Sequence, residues 1–180
     1  CDMRYSGLVL ALGGATALSL SPLQATPDSK PQIDYPGFLD LSNEVAAVRA
    51  ERLIDLAEFR QRAAKPETLI LDTRSAAAFA EGHMAGAINL PFSDFTDSKL
   101  RAVIGDNLDR EILIYCNNNF SNNIRPIMTK RAPLALNIPT FINLYGYGYR
   151  NIYELGATVD LYDPMVQWVA DDQLRAPLLP

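Results

Sequence analysis

The stretch EILIYCNNNFSNN, residues 111–123, combines the clearest strand signal in the chain with the loop that ends it. The apolar run at 112–116 is typical of a strand that is buried on both faces, as in a parallel sheet. The asparagine-rich run that follows does not continue the strand, because asparagine is rare in strands and common in loops. The sequence therefore places Cys116 at the carboxyl end of a sheet strand.

Strand and helix signals alternate on both sides of this stretch. Strands are predicted at 69–74, 86–91, 111–116 and 151–155. Helices are predicted at 42–65, 75–82, 93–104, 123–131 and 140–150, with a short one near 165–170. The first helix has an alternative interpretation, a short strand at 52–55 followed by a helix at 56–64. This alternation predicts an α/β fold with a single parallel β-sheet flanked by helices on both faces.

The composition excludes several classes of function. The chain of 180 residues has 16 Lys+Arg and 21 Asp+Glu, a formal charge of −5, whereas nucleic-acid binding requires clustered positive charge. Two cysteines and one histidine are too few for most Cys/His zinc sites and for a disulfide-dense scaffold. The apolar fraction of 48% predicts one packed domain. We therefore expect no metal and no nucleic-acid partner.

Residues 1–25 have the pattern of a signal peptide, since Arg4 precedes the apolar segment 7–20 and small residues end at Ala25. A transmembrane anchor is the alternative, but the apolar segment is short for a span of about 20 residues. We predict an exported protein, periplasmic if bacterial and otherwise secreted, with no stable membrane insertion after removal of the leader. Proline-rich residues 26–41 are predicted to form a linker or N-terminal arm, and residues 42–180 to form the domain.

Removal of this leader would leave Cys116 as the only cysteine, so it would be either an inert buried residue or a working thiol. The loop after it is predicted to lead into a helix amino terminus, where unpaired backbone N–H groups form a nest for an anion. Such a nest would stabilise the thiolate and lower its pKa below the usual value of about 8.5. The candidate binding residues all belong to this loop: Asn117, Asn118, Asn119, Phe120, Ser121 and Asn122.

Three segments together resemble the rhodanese family: LDTRSAAAFAEGHMAGAINLP (71–91), ILIYC with its loop (112–122) and GYRNIYELG (148–156). They occur in the family's order, and the resemblance covers residues 52–156. It implies a parallel sheet with flanking helices and a loop cysteine that carries sulfane sulfur as a persulfide. Cys116 matches that cysteine. The implied partners are a small sulfur-containing donor and a thiol or cyanide acceptor, with no cofactor.

Two departures from the family pattern bear on activity. The loop at 117–122 lacks the arginine or lysine that active members often carry, so a preference for thiosulfate is not expected. The segment 131–140 lengthens the stretch after Cys116 and could form a lid or a contact surface. A rhodanese-fold phosphatase would need an arginine within the loop, whereas position 122 is asparagine and Arg125 comes too late.

The sequence therefore leaves two functions in competition. The first is an exported sulfurtransferase in which Cys116 is the catalytic nucleophile. The second is a catalytically inactive rhodanese-like module that binds a small anion or a protein partner. In both, His83 is interpreted as a packing residue rather than as part of a Cys–His dyad. Asp72 and Arg74 are interpreted as a structural brace at a strand end, with Glu81 as a possible third member.

Overall fold

The structure, a computed structural model, describes residues 32–170. The signal peptide predicted at 1–25 lies outside the described residues. The linker predicted at 26–41 is wrong from Tyr35 onward, because helix α1 spans Tyr35–Ala50. Asp34 caps this helix by accepting a hydrogen bond from the Gly37 N–H at 2.9 Å. Pro36 is tolerated because it lies in the first helical turn, so the folded unit begins before the predicted boundary at residue 42.

The described residues form five α-helices and seven strands. The helices are α1 Tyr35–Ala50, α2 Leu56–Ala63, α3 Ala76–Glu81, α4 Asp97–Ile104 and α5 Asn137–Gly146. The strands are β1 Leu53–Ile54, β2 Leu69–Asp72, β3 Gly82–Met84, β4 Ala87–Asn89, β5 Ile112–Tyr115, β6 Ile152–Leu155 and β7 Trp168–Ala170. The alternative interpretation of residues 52–64, a short strand followed by a helix, is therefore confirmed.

Five strands form one parallel sheet in the order β1-β6-β5-β2-β4, which confirms the predicted fold class. Successive side chains of these strands point to opposite faces of the sheet, and they pack into a separate hydrophobic cluster on each face. Ile112 and Ile114 of β5 pack in the cluster that contains residues of α1, α4 and α5. Leu113 and Tyr115 pack in the cluster that contains residues of α2. Strand β5 is therefore central and covered on both sides.

Strands β3 and β7 form a second, antiparallel pair that sequence reasoning missed. Each strand has three residues, and 86 positions separate His83 from its partner Val169, so no local sequence pattern predicts the pairing.

 The short helix predicted near 165–170 is wrong, because a 3-10 turn at Pro164–Val166 leads directly into β7.

The helix predicted at 123–131 is also wrong, and the described chain is irregular there. Asn123 adopts a left-handed backbone conformation with φ of 45°, and its side chain accepts a hydrogen bond from the Thr129 N–H at 2.9 Å. Asparagine side chains that bond to nearby backbone groups compete with helix formation. The next helix, α5, begins at Asn137 rather than at residue 140.

Candidate functional site

Cys116 directly follows β5, the middle strand of the sheet, as the sequence predicts. Ligands of open α/β sheets bind beyond this carboxyl edge. The cysteine is nevertheless buried, with 1% of its surface exposed. In the described conformation the sulfur is therefore closed to solvent.

The predicted nest of backbone N–H groups is only partly available. Residues Asn117–Asn119 form a 3-10 turn, and the chain then extends to pair Phe120 with Val159. As a result, the N–H groups of Asn119, Phe120 and Ser121 donate to backbone carbonyls of Cys116, Asn117 and Val159 at 3.0–3.1 Å. Three of the six predicted binding residues thus have backbone donors committed to the fold.

The asparagine side chains in this loop fasten it to its neighbours. Asn117 Nδ2 donates to the Met128 carbonyl at 2.9 Å. Asn122 Nδ2 donates to Asp160 at 3.0 Å, while its Oδ1 accepts the Leu161 N–H at 2.8 Å. These amides act as structural ties between loops at the carboxyl edge.

Asn119 is the most constrained of these asparagines. Its Oδ1 accepts the Cys116 N–H at 2.8 Å, and its Nδ2 donates to the carbonyls of Leu155 at 2.6 Å and Ala157 at 3.2 Å. The side chain therefore joins the end of β5 to the end of β6.

Phe120 is a core residue. It is buried and makes edge-on contacts with Tyr115 and Trp168, with ring centroids 6.2 and 5.3 Å apart. Ser121 donates through its hydroxyl to the Val159 carbonyl at 3.4 Å. Both side chains thus make contacts within the fold.

Backbone N–H groups do converge on the sulfur, but mostly from another segment. Those of Asn118, Leu136 and Asn137 lie close enough to favour the thiolate. The last two belong to the start of α5, whose amino terminus carries partial positive charge. The helix predicted directly after the loop is replaced in this role by α5, which sequence reasoning did not connect with Cys116.

Burial nevertheless raises the pKa of the Cys116 thiol, and the nearby Glu154 carboxylate adds to this effect. The three N–H groups oppose the shift without reversing its direction. The expected lowering of the pKa is therefore wrong for the described conformation, because desolvation outweighs the N–H donors.

The raised pKa predicts a pH-dependent contribution to stability. Since an unfolded cysteine has a pKa of about 8.5, the thiol contributes fully below that pH and its contribution is lost as pH rises through the higher folded-state pKa. The stability difference between the protein and Cys116→Ala should therefore shrink as pH rises above about 8.5. Urea unfolding of both proteins at several pH values measures this difference in the free energy of unfolding. A difference that grows with pH would contradict a raised pKa of the Cys116 thiol.

Asp72 and Arg74 form a buried brace. Their exposed fractions are 0% and 3%, and Arg74 Nη2 lies 2.6 Å from Asp72 Oδ2. The same nitrogen donates to the Gly82 carbonyl at 2.7 Å. Tyr115, whose pKa is raised well above its usual value by burial and by Asp72, donates its hydroxyl to Asp72 at 2.5 Å. The brace links β2, β3 and β5.

His83 and Glu81 lie outside this brace. The His83 ring stacks on Phe79 with centroids 3.8 Å apart, and its Nδ1 lies 2.9 Å from the Phe79 carbonyl oxygen. Glu81 instead pairs with Arg125 at 2.5 Å. No contact described for His83 joins it to Cys116.

Sequence reasoning missed a buried polar chain that ends beside Cys116. Glu154 in β6 is 4% exposed and receives a two-point hydrogen bond from Arg49, at 2.6 and 2.5 Å. Asn137 Nδ2 donates to Glu154 at 3.2 Å and to Asn119 Oδ1 at 3.0 Å. The available signal was a glutamate inside the apolar strand NIYEL, since a buried strand rarely contains an unpaired charge.

Within residues 32–170, no cluster of three or more His, Cys, Asp or Glu side chains could hold a metal ion. Over the same range, none of the helices has the length and apolarity needed to cross a membrane.

Solved structures similar to this chain include one from Anabaena sp. and one from Helicobacter pylori. The rhodanese-like domain of the Alr3790 protein from Anabaena sp. has 19% identity and a TM-score of 0.49, over 72% of this chain and 86% of that chain. Protein hp1203 from Helicobacter pylori 26695 has 16% identity and a TM-score of 0.45, over 72% of this chain and 98% of that chain.

Sequence comparison gives a short match and a longer one. The TBC domain-containing protein kinase-like protein of Mus musculus is 39% identical over 66 residues, which is 30% of this chain and 7% of that protein. This chain therefore matches only a small part of that relative's length. A profile of the Rhodanese-like domain matches residues 55–155, more than half of the chain. The chain belongs to the Rhodanese-like domain family.

Proposed function

We propose that this chain is a non-catalytic rhodanese-like module that binds a protein partner. The observation that supports this function best is the 1% exposure of Cys116. Sulfur transfer requires a thiolate that a donor can reach, whereas burial both covers this thiol and raises its pKa. In the proposed function, Cys116 contributes to the core.

A protein partner fits the carboxyl edge better than a small anion does. Many loop donors that would hold an anion already bond within the fold. The outer surface there includes Met128 and Leu134, which are 56% and 65% exposed, beside the exposed cations Lys130 and Arg131. Exposed apolar side chains bordered by charge are typical of protein-binding surfaces.

Measurement of the intact mass tests the proposal that Cys116 does not accept sulfur in the folded protein. A Cys1→Ser variant, treated with a persulfide donor, should gain no adduct of about 32 Da on Cys116 while folded. Cys116→Ser is the matched control, and the urea-unfolded protein shows that the donor is reactive. A folded-state adduct that cyanide removes would overturn the proposal.

A sulfurtransferase is the second candidate, supported by the three N–H groups that converge on Cys116. Its thiolate would attack the sulfane sulfur of a donor and form a new S–S bond to it, while the donor's own S–S bond breaks and the rest of the donor leaves as an anion with that electron pair. Cys116 would then hold the transferred sulfur as a persulfide. A thiol or cyanide acceptor would then remove that sulfur. This function requires a conformational change that exposes the buried Cys116 thiol to the donor. Export of the protein also stays a prediction.

A further inference from the structure

Residues 131–136, which we refer to as the strap, lead into α5 and bring the Leu136 N–H group, followed by that of Asn137, beside the Cys116 sulfur. Their described backbone hydrogen bonds are local, including Leu134 N–H to the Arg131 carbonyl at 2.8 Å and Ala135 N–H to the Ala132 carbonyl at 3.2 Å. Residues 131–134 are exposed. The strap therefore depends on its two ends for its position.

The first end is fixed by Asn118. Its Nδ2 donates to the Lys130 carbonyl at 2.7 Å, and its Oδ1 accepts the Lys130 N–H at 3.1 Å. One side chain thus holds both backbone groups of the residue that precedes the strap.

The second end is fixed by Asn137, which is 4% exposed. Asn137 Nδ2 donates hydrogen bonds to Asn119 Oδ1 at 3.0 Å and to Glu154 Oε1 at 3.2 Å. Asn137 Oδ1 is buried and has no hydrogen-bond partner among the described residues. A buried acceptor without a hydrogen bond is costly. Arg49, 29% exposed, holds Glu154 in place behind this contact.

We propose that the strap is a gate over Cys116, closed by the Asn118 and Asn137 side chains and secured by the Arg49–Glu154 pair. Opening removes the Leu136 and Asn137 N–H groups from the sulfur and exposes the thiol. This device goes beyond the proposed function, because it concerns access to Cys116 and does not depend on sulfur transfer.

The test is the rate at which Ellman's reagent labels Cys116 in a Cys1→Ser background. Asn118→Ala and Arg49→Gln should each raise the rate about tenfold, which corresponds to a loss of about 1.4 kcal/mol in opening free energy. Asn151→Ala is the matched control, because Asn151 Nδ2 donates a hydrogen bond to the Asp109 carbonyl at 3.1 Å and neither residue belongs to the gate. Labelling of the control should stay unchanged.

Urea separates opening of the strap from unfolding of the domain. Local opening exposes little surface, so the accelerated labelling should depend weakly on urea, whereas labelling through global unfolding depends steeply on it. Unchanged rates in both gate variants, or acceleration with the steep dependence, would overturn the gate. Neither readout measures persulfide formation, so the gate and the proposed function can fail separately.

Discussion

Replacing Arg74 with methionine should lower the free energy of unfolding by about 3–5 kcal/mol, because it leaves the buried Asp72 charge without its partner. Asp72 is 0% exposed and, among the described residues, would keep the Tyr115 hydroxyl and the backbone N–H of residue 74 as its donors. Urea unfolding followed by circular dichroism measures the loss.

Arg101→Met is the control for this prediction. Its partner Asp106 is 88% exposed, and such surface pairs contribute about 0–1 kcal/mol. Equal effects of the two substitutions would show that burial of the Asp72–Arg74 pair does not govern its contribution.

Asn119→Ala should lower the free energy of unfolding by about 2–4 kcal/mol, because buried backbone groups lose their partners. These groups are the Cys116 N–H and the carbonyls of Leu155 and Ala157. Urea unfolding again gives the value. Asn151→Ala, which removes one bond to the Asp109 carbonyl, should cost clearly less, and an equal cost would contradict the role assigned to Asn119.

The central sheet could be predicted because its signals are local. The apolar runs at 69–72, 112–115 and 152–155 are buried strands, and the position of Cys116 follows directly from the end of β5. The short strand and helix within 52–64 were also accessible, as an alternative interpretation.

The closure of the site could not be predicted in the same way. It depends on Asn137 meeting Asn119 and Glu154, contacts between segments 17 or 18 residues apart in sequence. The sequence predicts that the asparagines after Cys116 belong to a nest that binds an anion. In the structure, their side chains form hydrogen bonds with other loops. Composition identifies such residues as loop-forming without specifying their partners.

Trp168 is the single tryptophan of the chain, and its ring meets the ring of Phe120, the residue that follows Asn119. The Arg74 guanidinium lies 5.4 Å from the same indole. Intrinsic fluorescence therefore offers a label-free optical signal from the neighbourhood of the cysteine loop. A change in emission on mixing with a candidate partner would report a rearrangement there.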